Sequence, residues 1–193
     1  MTNFDRSSLH FSETVEAEFE FLAANDFKLV KREATFVRFE SNSTYMNVYH
    51  GRMSFELGLA IGQLGRLKEE PYSMSEIVRF VEPGKGDQYR DYGTRDARGV
   101  EEGVQRLATR LRRYVATGLF DDGNLFTRLR RQREIYMQEL ALEVNLGEAR
   151  RKLEGAWHAN DYAKVVKLLE PFRVELTSAV LKKLEYAEKE LRN

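Results

Sequence analysis

The chain has 193 residues, no cysteine, and 31 basic residues balanced by 31 acidic ones. This length suits one domain or two small ones that share a core, and the absence of cysteine excludes disulfides, thiol catalysis and cysteine-based metal sites. The balanced charge argues against a global field that attracts nucleic acid or an anionic membrane. No apolar run approaches the ~20 residues that span a bilayer, and residues 1–5 lack a secretory signal, so we expect a cytoplasmic protein.

The N-terminal half predicts one helix followed by a small sheet. Ser12 is a candidate N-cap residue for a helix whose Val15, Phe19 and Leu22 share one face. Four extended segments follow, at 27–33, 35–40, 44–50 and 53–61. Because short turns separate them, they favour an antiparallel meander of three to four strands.

The last of these strands carries small residues on one face. Gly58, Ala60 and Gly62 recur in steps of two and leave little bulk there. We expect a helix to cover this face closely, and the alternative is a groove for a partner or ligand.

A capped helix and an irregular segment come next. Ser73 and Glu76 fit a capping box that opens a short helix. Residues 83–99 then lack a clear period, and loops of this length are often functional. Tyrosine and arginine are enriched at binding hot spots, which makes four residues of this loop candidate partner contacts: Tyr89, Arg90, Tyr92 and Arg95.

The C-terminal half predicts helices throughout. An apolar stripe recurs every three or four residues over 100–115. After a turn at 121–124, a helix over 125–146 is expected to end at Gly147 and to bury Leu125, Leu129, Tyr136, Leu140 and Val144. Helices at 148–158 and 163–170 follow, and a last one capped by Thr177 buries Val180, Leu181, Leu184 and Leu191. The chain is therefore assigned to the α+β class, with an α+β domain at 1–96 and a helical region at 97–193 that can pack as one unit with it.

One helix pair resembles a known repeat. Residues 149–171 carry a degenerate pattern, Ala149, Leu153, Trp157, Asp161-Tyr162, Val165-Val166 and Leu169, which is similar to a single tetratricopeptide helix pair. Because a lone pair cannot form a binding solenoid, we expect a helical hairpin packed on its own domain.

A second resemblance concerns residues 27–81. It is carried by the segments 36–40, 46–49 with 53–61, and 72–77. Their order resembles small bacterial α+β proteins of unknown function, some of which are immunity proteins of polymorphic toxin systems. The resemblance implies a protein that binds and neutralises a partner.

The motifs of common reaction centres are missing from the sequence. No His-Glu-x-x-His pattern surrounds any of the three histidines, and Gly84-Lys85-Gly86-Asp87 lacks the spacing of a phosphate loop. The acidic turn at 121–124 lacks the ligand ladder of a calcium loop. The sequence thus predicts no catalytic residue, no metal site and no cofactor. An enzyme whose residues converge only in three dimensions is kept as a further alternative.

Arginines cluster between residues 103 and 133. This stretch contains eight arginines and two aspartates, so its net charge is eight minus two, or plus six. If the two helices pack antiparallel, five of them form an anion or nucleic-acid patch: Arg106, Arg110, Arg113, Arg130 and Arg131. The alternative is a solvated face with internal ion pairs such as Arg130–Glu134.

These patterns favour a non-enzymatic protein-interaction module that is immunity-like or defence-associated. The alternative is a nucleic-acid-binding accessory protein that uses the arginine patch. A protein partner is expected, membrane binding is not, and homo-oligomerisation stays open.

Overall fold

The structure is a computed structural model that describes residues 6–51, 53–66, 68–120 and 122–192. The N-terminal pentapeptide and Asp121 of the predicted acidic turn lie outside the described residues. The chain divides into two compact units, residues 1–133 and residues 134–193. This division falls inside a helix and not at the predicted boundary after residue 96, because the first long helix of the C-terminal half packs on the sheet.

The first unit begins with three short helical segments: a 3-10 turn Arg6–Leu9, helix α1 (Phe11–Glu18) and a 3-10 helix Glu20–Asn25. The predicted cap at Ser12 is wrong: α1 already begins at Phe11, and His10 occupies the N-cap position in a left-handed conformation without a side-chain cap. Ser12 is buried inside the helix. Val15, Phe19 and Leu22 are buried, as their spacing predicts.

An antiparallel sheet forms the centre of this unit. Its strands in the described residues are β1 (Lys28–Glu33), β2 (Phe36–Glu40), β3 (Thr44–His50), β4 (Glu56–Gln63), β5 (Tyr72–Ser73) and β6 (Tyr92–Gly93). The order is β1-β2-β3-β4-β5, and β6 also pairs with β4. The predicted α+β class and meander are confirmed.

Alternation in these strands directs one set of side chains into the core. Val37 on β2 lies opposite Val48 on β3, which lies opposite Leu59 on β4, and all three are buried. Residues of α1, α2 (Met74–Val81) and α3 (Ala97–Ala116) complete the same apolar cluster. Burying each such side chain contributes about 1.5–3 kcal/mol.

The small-residue face of β4 is covered by its neighbouring strand. Tyr45 lies opposite Gly62, and Tyr49 lies opposite Gly58. A Cβ on Gly62 would lie 2.2 Å from Cζ of Tyr45, and one on Gly58 would lie 2.3 Å from Cζ of Tyr49. The two tyrosine rings therefore occupy the space above the glycines. Both expectations for this face, a covering helix and an open groove, are wrong.

The helix α2 (Met74–Val81) starts with the predicted capping box, in which the Ser73 backbone N–H donates to the Glu76 carboxylate over 2.9 Å. The irregular segment after it contains a 3-10 turn, Gly86–Gln88, and strand β6. Helix α3 (Ala97–Ala116) then begins three residues before Val100, because Asp96 accepts a hydrogen bond from the Gly99 N–H over 2.8 Å.

The helix α4 (Leu125–His158) is continuous, so the predicted break at Gly147 is wrong. A glycine inside a helix costs only about 1 kcal/mol relative to alanine, which the neighbouring helical turns can offset. Leu125 and Leu129 are buried as predicted, but Leu140 is 39% exposed and Val144 is 58% exposed.

The second unit contains the C-terminal part of α4 with helices α5 (Tyr162–Leu169) and α6 (Ser178–Glu190), and a 3-10 helix Glu170–Glu175 between them. Its core consists of Leu153, Ala156, Val165, Leu169, Leu184 and Ala187. Leu191, predicted to be buried, is exposed because the helix ends at Glu190. The hairpin predicted for 149–171 thus packs against α6 within its own unit. No helix in the described ranges has the length and apolar character needed to cross a bilayer.

Candidate partner-binding cleft

A cleft of about 900 Å³ opens between the segment after α2 and the outer side of α3. We call it the Tyr–Arg cleft. The segment and the helix line it with Lys85, Gln88, Tyr89, Arg90, Asp91, Tyr92, Gly103, Gln105, Arg106, Leu107, Thr109, Arg110 and Arg113. The cleft lies entirely within the first unit.

Strand pairing and one glycine fix the position of its two walls. Tyr92 of β6 lies opposite Leu57 of β4, which attaches the segment to the sheet. On α3, a Cβ at Gly103 would lie 2.3 Å from Cδ1 of Leu57 and 2.5 Å from Cδ1 of Tyr92. The missing side chain of Gly103 therefore lets α3 pack directly against both residues.

Tyrosine rings hold two arginines of α3 toward the cleft. The Arg106 guanidinium carbon lies 4.7 Å from the ring centroid of Tyr92, and that of Arg110 lies 5.3 Å from the ring centroid of Tyr89. Such cation–π contacts contribute about 0.5–1 kcal/mol at exposed sites. They orient the guanidinium groups without cancelling their positive charge.

The cations of the cleft differ in how they are neutralised. Lys85 and Arg113 each form an ion pair with Glu82 over 2.6 Å. Hydrogen bonds from Lys85 and from the Tyr114 hydroxyl lower the pKa of Glu82 to about 2. Within the described ranges, Arg106 and Arg110 form no ion pair with any carboxylate.

Arg90 is held by the backbone of its own segment. Its guanidinium donates to the carbonyls of Asp87 and Tyr89 over 2.5 and 2.7 Å. It forms no ion pair in the part of the chain that the structure describes. The cleft therefore presents three cationic groups that no carboxylate of the described residues neutralises.

One carboxylate, Asp91, also lines the cleft. It keeps contact with solvent, but partial burial raises the pKa of its carboxyl group, an effect that the Tyr89 hydroxyl offsets in part. Burial, reinforced by the charge of Asp91, raises the pKa of Tyr89. The same two causes raise the pKa of Tyr49. Both phenols are therefore protonated at neutral pH, and the Tyr89 hydroxyl donates to the Asp91 carboxylate.

Six of the nine predicted contact residues line this one cleft: Tyr89, Arg90, Tyr92, Arg106, Arg110 and Arg113. The sequence had assigned them to two separate surfaces. The other three are not among its lining residues. Arg95 lies over the Phe55 ring at 4.5 Å, Arg130 pairs with Glu69 over 2.9 Å, and Arg131 is exposed on α4.

Sequence reasoning did not name several polar residues that line the cleft. On α3, Thr109 lies three residues after Arg106, and Gln105 lies four residues before Thr109, so i, i+3 and i, i+4 spacing on one helix face was a usable signal. Lys85 had been considered only as part of a phosphate-loop motif. Its hydrogen bond to Glu82 gives it a different role.

One of the three histidines, His50, is enclosed by the protein. Its side chain lies at the end of β3 with the residue 1% exposed, and its Nε2 lies 3.1 Å from the Phe55 carbonyl and 3.0 Å from the Thr94 carbonyl. Burial lowers the pKa of His50. Burial therefore favours the neutral ring, although the two carbonyl contacts oppose it, and these acceptors place the proton of the neutral ring on Nε2.

The Tyr–Arg cleft is thus basic, and two tyrosine rings and one carboxylate line it together with the cationic groups. Among the described residues, no group of three or more histidines and carboxylates is arranged to hold a metal ion. The chain matches no protein-family model, no curated protein and no solved structure, so what the cleft binds has to be inferred from its own residues.

Proposed function

We propose that this chain is a non-enzymatic protein-interaction module that holds an acidic segment of a partner protein in the Tyr–Arg cleft. One observation carries this proposal: Arg106 and Arg110 face the cleft without an ion-pair partner in the described residues, while their neighbour Arg113 is paired. Two adjacent unneutralised guanidinium groups attract a ligand that supplies carboxylates.

The composition of the cleft also supports a protein ligand. Tyrosine and arginine are the side chains most often found at the energetic centre of protein interfaces. Tyr89 and Tyr92 offer ring surface beside the guanidinium groups, and Gln105 and Thr109 add neutral hydrogen-bonding groups. A volume of about 900 Å³ accommodates a few side chains of a docked segment.

Nucleic acid, the alternative function, has less support. Binding a phosphate backbone needs a track of unneutralised cations. Three of the arginines between residues 103 and 133 are engaged in ion pairs outside the cleft: Arg128 with Asp122, Arg130 with Glu69, and Arg133 with Glu76.

The biological setting is part of this proposal. A module that captures one partner segment is consistent with an immunity-like or defence-associated protein, the role that the resemblance over residues 27–81 implies. A bacterial origin and a cytoplasmic location belong to the same proposal.

Binding of a defined peptide tests the function. A fluorescent glutamate-rich peptide is titrated with the wild-type chain and with R106Q/R110Q, and fluorescence anisotropy reports the affinity. We expect the double variant to bind at least about tenfold more weakly, since hydrogen bonds to charged groups contribute about 1.5–3 kcal/mol each. The matched control is R150Q/R151Q, which removes two exposed arginines of the second unit.

Equal affinity of the wild-type chain and R106Q/R110Q for this peptide would contradict the proposal. A single-stranded oligonucleotide of equal charge serves as the competing ligand. If it binds more tightly than the peptide and its affinity falls steeply with salt, the nucleic-acid alternative is correct instead.

A further inference from the structure

The Tyr–Arg cleft contains opposite charges that do not neutralise each other. Arg106 and Arg110 line it together with Asp91, yet neither arginine forms an ion pair with this carboxylate. Arg113 and Lys85 bind Glu82 and not Asp91. The cleft thus has a basic region along α3 and an acidic group on the opposite segment.

A second carboxylate strengthens the acidic side. Asp91 immediately precedes β6, and β6 pairs with β4 at Glu56. Glu56 is exposed, has no ion-pair partner in the described ranges, and lies close enough to Asp91 for the two charges to repel each other. A cation placed beside Asp91 relieves this repulsion, because it interacts favourably with both carboxylates.

We infer that the cleft selects a dipolar protein segment, in which a carboxylate binds Arg106 and Arg110 and a nearby ammonium or guanidinium group binds Asp91. This inference rests on the proposed function and specifies its ligand. In an extended segment, residues two apart project from the same face about 7 Å from each other, so one acidic and one basic side chain can reach the two sides of one cleft.

Asp91 is the specificity-determining residue in this arrangement. A uniformly acidic segment gains from the arginines but places further negative charge beside Asp91 and Glu56. Rejecting a competing ligand through a repulsive group is a common basis of specificity. Net charge alone predicts the opposite preference, because a cleft with excess positive charge would favour the most acidic ligand.

Three peptides of equal length with blocked ends distinguish these possibilities. One contains glutamates, one alternates glutamate and lysine at residues two apart, and one contains glutamines. Anisotropy titrations compare the wild-type chain, D91N and D91E. We expect the wild-type chain to prefer the mixed peptide over the glutamate peptide by about twofold to fivefold, within the range of one exposed ion pair. D91N should lose this preference, and D91E should retain it.

The matched control for the lost charge is E101Q, which changes an exposed glutamate of α3 that does not line the cleft. It should retain the wild-type preference. Thermal unfolding followed by circular dichroism verifies that D91N and E101Q are folded.

The outcomes separate the two proposals. If the wild-type chain and D91N rank the peptides identically, the inference is overturned, while loss of glutamate-peptide binding in R106Q/R110Q still supports the proposed function. If neither charged peptide binds better than the glutamine peptide, both proposals are overturned.

Discussion

Burial of His50 makes the stability of the first unit dependent on pH. The ring is enclosed between Phe11 and Phe55, its Nε2 faces two carbonyl oxygens, and its Nδ1 has no hydrogen-bond partner among the described residues. Burial, together with the charge of Arg6, lowers the pKa of His50 in the folded state. In the unfolded chain its pKa returns to about 6.5.

The sign of the effect follows from proton uptake. Below about pH 6.5 the unfolded chain binds a proton that the folded chain does not, so acidification favours unfolding. Until the pH reaches the lowered folded-state pKa, the free energy of unfolding falls by up to about 1.4 kcal/mol per pH unit for this one group. The contribution is fully present above pH 6.5 and decreases as the pH falls.

Urea unfolding between pH 5 and 8 measures this dependence. The variant H50Q keeps an N–H donor for the two carbonyls but cannot titrate, and H158Q, which replaces an exposed histidine of the second unit, is the matched control. Subtracting the H50Q curve from the wild-type curve isolates His50 from the carboxylates. We expect H158Q to retain the wild-type slope and H50Q to lose the part of it that His50 contributes. Parallel wild-type and H50Q curves over this range would refute the argument.

Three further predictions concern stability and can be checked by denaturant or thermal unfolding. G62A should destabilise the first unit by about 1–3 kcal/mol, because its Cβ would collide with the buried Tyr45 ring; an unchanged midpoint would show that the ring moves freely. G147A should stabilise α4 by about 1 kcal/mol, because no atom lies within 4 Å of the added Cβ; a loss of stability would indicate a helix break there. D96A should lower the free energy of unfolding by about 0.5–2 kcal/mol, because it removes the acceptor for the Gly99 N–H. D96N, which keeps a side-chain oxygen as acceptor, should retain most of the wild-type stability.

The strands of the meander could be predicted because alternation is a local property. Val37 and Phe39, and then Leu57, Leu59 and Ile61, alternate over enough residues to define a face. Strands β5 and β6 have two residues each, which is too short for any period to be read. They are strands only because β4 supplies their hydrogen-bonding partners.

Errors in the helical half have equally physical causes. Gly147 predicts a break, but one glycine does not outweigh a long run of good helix formers on both sides. Leu140 and Val144 follow a helical period, yet periodicity predicts a shared face and cannot show whether another element covers it.

The residues on both sides of the cleft could be recognised in the sequence, but the sequence could not show that they line the same cleft. The tyrosines of the irregular segment and the arginines of α3 stood out by residue type. Their juxtaposition depends on the pairing of β6 with β4 and on the absence of a side chain at Gly103. The neutralisation of Arg130 depends on Glu69, which is 61 residues away in the chain and therefore not visible as a helical pair.

The contact of Gly103 with both Leu57 and Tyr92 has a mechanical consequence. Because these two side chains fill the place of a missing Cβ, α3 cannot slide along the sheet without displacing Tyr92. We therefore expect the helix that carries the arginines and the strand next to Asp91 to move together. A ligand held only by Arg106 and Arg110 should accordingly slow amide hydrogen exchange at Gly93, although it touches no atom of that strand.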